Sequence, residues 1–211
     1  MPDEVIQGSP EWHQQRLGRA TASRIADVVA KTKSGYSTSR ENYMVELALE
    51  RITGQRQEAY TNDAMRWGTD NEPLARAAYE AKTGELVEEV GMIAHPTIAM
   101  SGASPDGLIG ADGLLEIKCP NSATHIKTIR TGKPDAKYIT QMAWQMACTD
   151  RKWCDFVSFD PRMPEGLQLF TVRVMRDDKL IAELETEVES FLVEVAEMVI
   201  ELLTLKEKEP A

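Results

Sequence analysis

The chain has 211 residues, 42% of them hydrophobic and 27% charged, and a net charge of −10. That balance suits one soluble globular domain spanning 1–211, with no internal repeat or low-complexity linker. No apolar run approaches the roughly 18 residues of a membrane span, and MPDEVIQGSPEW lacks the basic-then-apolar pattern of a secretory leader. Cys119, Cys148 and Cys154 are odd in number and show no CxxC spacing, so reduced thiols and an intracellular protein are expected. The acidity is uneven. Residues 177–211 hold eleven acids and three bases, which leaves the remainder nearly neutral, so net charge does not exclude a polyanionic partner.

In chain order, ATASRIADVVAK predicts a helix capped by Thr21 or Ser23, with Ile25, Val28 and Val29 facing inward. KTKSGYSTSR is polar and basic, a loop. ENYMVELALERITG places Tyr43, Met44, Leu47, Ala48 and Ile52 on one helical side and ends at Gly54. GTDNEPLARAAYEAKTG predicts a second helix, opened by Thr69 or Asp70 and closed by Gly84, with Glu72 in its first turn. LVEEVGMIAH, TIAMSGAS, GLLEIKC, KWCDFVSFD and LQLFTVRVM read as strands. Between the third and fourth lie a basic loop, HIKTIRTGKPDAK, and the helix YITQMAWQMACTD. In the final helix Leu184, Val188, Phe191, Val195, Val199 and Leu202 recur at helical spacing opposite glutamates. The order predicts an α/β fold: a central mixed β-sheet flanked by helices, with a mainly helical cap (1–84), a catalytic sheet and helix (85–176) and a C-terminal helix (177–211).

SPDGLIGADGLLEIKCP carries the chemistry. As a strand, GLLEIKC aims Leu115, Ile117 and Cys119 to one face and Leu114, Glu116 and Lys118 to the other. Gly110, Asp112 and Gly113 are turn formers, so the chain doubles back and brings Asp106 beside Glu116. Two adjacent carboxylates repel, and a divalent cation relieves the repulsion; oxygen donors suit Mg²⁺ or Mn²⁺. Lys118 there could orient or help deprotonate an attacking water and neutralise charge on a phosphoryl centre. The bland reading is a turn aspartate and an exposed edge-strand pair. Glu72 and Gln141 could each add an oxygen, or be surface residues. The basic residues Lys127, Arg130, Lys133 and Lys137 are the best local candidates for contact with a polyanion backbone.

The blocks WHQQRLGRATASRIADVVAK, RWGTDNE, SGASPDG, LLEIKCP, YITQMAWQM and FVSFDPRM, in that order, resemble the phage lambda exonuclease family of viral recombination nucleases, within the PD-(D/E)xK superfamily. The resemblance implies a restriction-endonuclease-like core. It implies a metal-dependent 5′→3′ exonuclease that digests linear double-stranded DNA from 5′-phosphorylated ends, releasing 5′-mononucleotides and leaving a 3′ strand for recombination by annealing. It further implies two Mg²⁺ ions per site (Mn²⁺ as substitute), a homotrimer, a single-strand-annealing protein as partner, and the cytoplasm of a bacterial host. Asp106 and Glu116 match the metal-binding carboxylates, Lys118 the catalytic lysine, Ile117 a main-chain metal ligand and Glu72 a further acidic ligand. Gln141 matches a positioning glutamine. Arg16, Ser23 and Ser104 fall where the family holds phosphate, Lys33 where it meets the duplex, and Met65 where an apolar wedge parts the terminal base pair. Rival expectations are an endonuclease on the same core and a non-catalytic DNA-end clamp.

Overall fold

The computed structural model describes residues 5–56 and 62–207. Residues 1–4, 57–61 and 208–211, which belong to the expected cap and C-terminal segments, lie outside the described residues.

The centre is a five-stranded sheet built from β4 (Val87–Glu88), β7 (Gly107–Ile109), β8 (Gly113–Lys118), β9 (Trp153–Phe159) and β10 (Leu169–Met175), in the order β10-β9-β8-β7-β4. β8 and β9 run parallel and the other pairs antiparallel, so the sheet is mixed, as expected. A parallel pair needs a crossover. It is supplied by α5 (Ser122–Thr131) and α6 (Ala136–Thr149). A second, small sheet joins β1 (Ala20–Thr21), β6 (Ser101–Ala103) and β5 (Ile93–Ala94) in the order β1-β6-β5.

The alternation read for β8 is the alternation observed. Leu115 and Ile117 pack with Val157, Phe159 and Ile109 against Ala75 and Tyr79 of α4 (Asp63–Thr83). Leu114 joins Phe156 and Cys154 on the opposite face, under α6, α2 (Ile25–Val28), α3 (Thr38–Thr53) and α7 (Asp178–Glu207). α7 is held to α3 by Phe191 stacked on Tyr43 at 5.6 Å. Buried Arg40 of α3 forks onto Glu194 of α7 with both bonds at 2.7 Å. The helical layer therefore includes the last helix as well as the first half of the chain.

Four local expectations are corrected. The segment after Thr21 is a 3-10 turn (Ala22–Arg24) leading into a helix of only four residues, α2, in which Ile25 and Val28 are buried and Val29 partly so. KTKSGY is not a plain loop but a hairpin of β2 (Lys31–Thr32) and β3 (Gly35–Tyr36), fastened to Glu187 of α7 by Lys31 and Tyr36. α4 begins at Asp63 rather than near Thr69, because the Asn62 side chain accepts from Met65 N at 2.9 Å and caps it there. Pro73 lies well inside this helix, where it removes one i→i−4 hydrogen bond, and Glu72 sits in the third turn, not the first. Most of the expected basic loop is α5, capped by Asn121 and closed by Gly132 at φ 65°. Its fully buried His125 bonds Ser158 Oγ at 2.7 Å and the Leu167 carbonyl at 2.8 Å. Lys127, Arg130, Lys133 and Lys137 are exposed, as the expectation required.

Gly113 opens β8 directly against the Trp153 ring, where a Cβ would come within 2.2 Å of ring carbon. Gly113→Ala should lower stability by about 1–3 kcal/mol through overpacking. Denaturant unfolding checks this, and an unchanged midpoint would contradict it.

Candidate active site

The β7–β8 hairpin sets the two carboxylates side by side. Gly107 pairs with Leu115, so Asp106, one residue earlier, lies next to Glu116. Its N–H donates to the Leu115 carbonyl at 3.2 Å, and its Oδ2 accepts from Ile117 N at 2.6 Å. Glu116, at the middle of the sheet, is fully buried. Its Oε1 accepts from Gln141 Nε2 at 2.7 Å and pairs with Lys118 Nζ, while its Oε2 accepts from Gln145 Nε2 at 2.6 Å. Lys118 also lies over the Tyr138 ring, 5.3 Å from its centre. The strand is therefore central, not an edge, and of the Glu116–Lys118 pair the glutamate is buried and the lysine partly exposed.

Glu72 reaches the same place from α4. Arg76, one turn on, bonds Glu72 at 3.1 Å and Glu89 at 2.5 Å, and lies 3.5 Å from the Asp106 carbonyl. The electrostatics bear the mark of crowding. Burial, then repulsion from Glu116 and Glu72, pushes the Asp106 carboxyl well above its usual range, with Lys118 opposing. Burial raises Glu72 as well, with Arg76 and Lys118 opposing and Glu116 adding to the rise. Burial alone would lower Lys118, but Glu116 and Asp106 overcome it and raise its pKa. Lys118 is thus a firm cation. In that state it can orient water and neutralise charge.

A second cluster adjoins through Ser104, two residues before Asp106. Arg16 Nη1 donates to Ser104 Oγ at 3.2 Å and Nη2 to Thr21 Oγ1 at 3.2 Å. Its guanidinium stacks over Trp12 at 4.2 Å, and Trp12 Nε1 donates to the same Ser104 hydroxyl at 3.0 Å. Burial pulls the Arg16 pKa down to about 10, so at neutral pH it is charged and its hydrogen-bond partners are hydroxyls. The stacking and forked hydroxyl contacts hold the guanidinium plane, which suits a bidentate hold on phosphate. Ser23 is exposed on the 3-10 turn and lines, with Arg16, Arg56 and Met65, a cleft of about 730 Å³. Ser23 therefore belongs to a turn that leads into a very short helix, not to the start of the longer helix read from the sequence. Met65, half exposed in the first turn of α4, faces the cleft. Lys33 stands exposed at the tip of the β2–β3 hairpin and is not part of either cluster.

The structure therefore brings Asp106, Glu116, Lys118, Glu72, Gln141 and Ile117 together, and beside them Arg16 and Ser104. Trp12, Thr21, Arg76 and Gln145 join them. Thr21 has the signal of a helix cap, and Gln145 only that of one more residue four along from Gln141.

A family model described as a YqaJ-like viral recombinase domain matches residues 11–152. The chain belongs to this family. No curated protein matches it in sequence. Among solved structures, it resembles LHK-Exo, an alkaline exonuclease from Laribacter hongkongensis, at 55% identity and TM-score 0.89, over 95% of this chain and 99% of that one. LHK-Exo in complex with dAMP matches to the same extent. A phage-related exonuclease from Haemophilus somnus 129PT shares the fold at 16% identity and TM-score 0.69, over 87% of this chain and 96% of that one. The resemblance read from the six sequence blocks stands with these likenesses.

Asp106 is an acid whose pKa is higher in the fold than in the unfolded chain, so above its unfolded value it loses stability on folding as pH rises. Asp106→Asn keeps an acceptor for Ile117 N and removes the charge. In EDTA at pH 8 it should raise stability. A variant less stable than wild type in denaturant unfolding would contradict the crowding.

Proposed function

We propose that the protein is a metal-dependent 5′→3′ exonuclease that digests linear double-stranded DNA from 5′-phosphorylated ends. It releases 5′-mononucleotides and leaves a 3′ strand for recombination by annealing. The observation that carries this reading is the carboxylate pair Asp106–Glu116 with Lys118, with Ser104, the hydroxyl partner of Arg16, two residues before Asp106 in the chain. The match to LHK-Exo, an alkaline exonuclease that binds dAMP, supports it. The parallel β8–β9 pair flanked by α4 and α6 is what a PD-(D/E)xK core, with a helical cap over one face, would present.

The donor set fits a hard divalent ion. Asp106, Glu116 and Glu72 offer only oxygens, two of the three are pushed toward protonation by burial and one another, and a cation would reverse that. Asp106, Glu116, the main-chain carbonyl of Ile117 and Glu72 would hold two Mg²⁺ ions, with Mn²⁺ as substitute. When bound, such ions polarise a phosphodiester and make water a better nucleophile.

The chain's own residues do the rest. Lys118 orients the attacking water and neutralises charge that develops on the phosphoryl oxygens. Gln141 holds Glu116 in place. Arg16 and Ser104, with Ser23 at the rim, hold the 5′-phosphate and so fix how far the end enters. Met65 is the wedge at the mouth of the cleft, and exposed Lys127, Arg130, Lys133, Lys137 and Lys33 are contacts for the duplex backbone. We assign a homotrimer, a single-strand-annealing partner and the cytoplasm of a bacterial host on the family resemblance. Among the described residues no helix is long and apolar enough to cross a membrane.

Purified protein with Mg²⁺ should release mononucleotides from linear duplex and leave covalently closed circles intact. Nicked circles would favour an endonuclease, and binding without release a DNA-end clamp. Lys118→Ala should slow cleavage about 10²–10³-fold with DNA binding within a few-fold of wild type. Loss of binding in parallel with cleavage would contradict its role.

The seat makes a separate forecast. An arginine guanidinium keeps its charge in proteins, so the rate advantage of 5′-phosphorylated over 5′-hydroxyl ends should hold across the pH range in which the protein stays folded. Arg16→Ala should lack it at every pH, a loss of about tenfold or more. Equal rates on both ends in wild type would remove the seat.

A further inference from the structure

Gln145 has no role in the reading above, and it touches the one carboxylate on which that reading most depends. It is fully buried in α6, four residues after Gln141, so the two amides leave the same helix face one above the other. Each takes a different oxygen of Glu116: Gln141 Nε2 at 2.7 Å from Oε1 and Gln145 Nε2 at 2.6 Å from Oε2. An ionised carboxylate has about four lone-pair sites, two on each oxygen. Gln141 and Lys118 fill those of Oε1, and Gln145 fills one of Oε2. The acceptor capacity left to Glu116 is a single direction at Oε2, and Gln145 decides which.

A second observation sets Gln145 apart from an ordinary core amide. Its Oε1 is buried without a hydrogen-bond partner among the described residues. Such an orphan is a standing penalty. It persists because the amide cannot turn over without presenting its oxygen to Glu116, two acceptors face to face. The orientation of Gln145 is thus set by Glu116.

From these contacts we infer that Gln145 is a positioning residue of the metal centre: it fixes the plane of the Glu116 carboxylate and leaves one lone pair of Oε2 for the ion. This rests on the metal-binding reading given above. Mg²⁺ demands near-ideal octahedral placement of its ligands, whereas Ca²⁺ accepts irregular sets. A carboxylate pinned to offer one direction favours the first, and a carboxylate free to swing favours the second.

The test is calorimetric titration of Mg²⁺ and Ca²⁺ into DNA-free wild type and Gln145→Met, which has similar length but no donor. Thermal unfolding in EDTA accompanies it. Gln145→Met should remain folded, bind Mg²⁺ about tenfold more weakly, and change its Ca²⁺ affinity by no more than about twofold. If Gln145→Met does not fold, Gln145→Asn, an amide too short to reach, is read by the same comparison. Unchanged Mg²⁺ affinity in a folded variant overturns the inference, and so does an equal loss for both ions, the mark of general damage. Failure of wild type to bind either ion overturns the metal reading itself, a separable result.

Discussion

Everything in this molecule turns on keeping like charges together. Asp106 and Glu116 would separate if left to themselves, and burial makes their proximity costlier still. The fold opposes the repulsion by covalent and backbone means. A tight hairpin holds the two residues abreast, and the Asp106 N–H donating to the Leu115 carbonyl, with the Ile117 N–H donating to the Asp106 carboxylate, fixes the aspartate to the strand that carries the glutamate. Lys118 and two amides supply donors to Glu116, and Arg76 supplies a cation to Glu72. Each device compensates part of the repulsion and none removes it. The residual repulsion is what a bound divalent cation would relieve.

The rest of the architecture explains why those devices stay in place. β8 is flanked on both sides and covered on both faces, so Glu116 cannot swing into solvent. The parallel β8–β9 pairing forces a helical crossover, and that crossover delivers Gln141 and Gln145 to the glutamate. The short β1 strand pairs with β6 at Ala20–Ser101 and Thr21–Gly102, which draws the segment bearing Arg16 and Thr21 to the residue just before the hairpin. The Arg16–Ser104 cluster and the carboxylates are thus joined by strand pairing, not by a flexible linker. Their spacing is a property of the fold.

What could be read from the sequence had local causes. The faces of β8 follow from a period of two, and the hairpin from Gly110, Asp112 and Gly113. The final helix follows from apolar residues at a helical period. What could not be read was either non-local or masked by residue type. Nothing near Ala20 announces a partner eighty residues away. Pro73 and the residues around it look like a helix start, while the deciding cap is Asn62, earlier in the chain. In α5, threonines, isoleucines and a histidine look like loop or strand, and burial of His125 and Thr128 overrides that preference. Arg16 was legible only through the resemblance, since an isolated arginine has no pattern. Gln145 sits among methionines and alanines, and only its distance to Glu116 reveals it.

The most direct test of the central claim is anomalous diffraction from crystals grown or soaked in Mn²⁺. The account predicts a peak bounded by Asp106, Glu116 and the Ile117 carbonyl, present in wild type and absent in Asp106→Asn. Crystals that bind Mn²⁺ elsewhere while this pocket stays empty, with the three groups still in place, would contradict it.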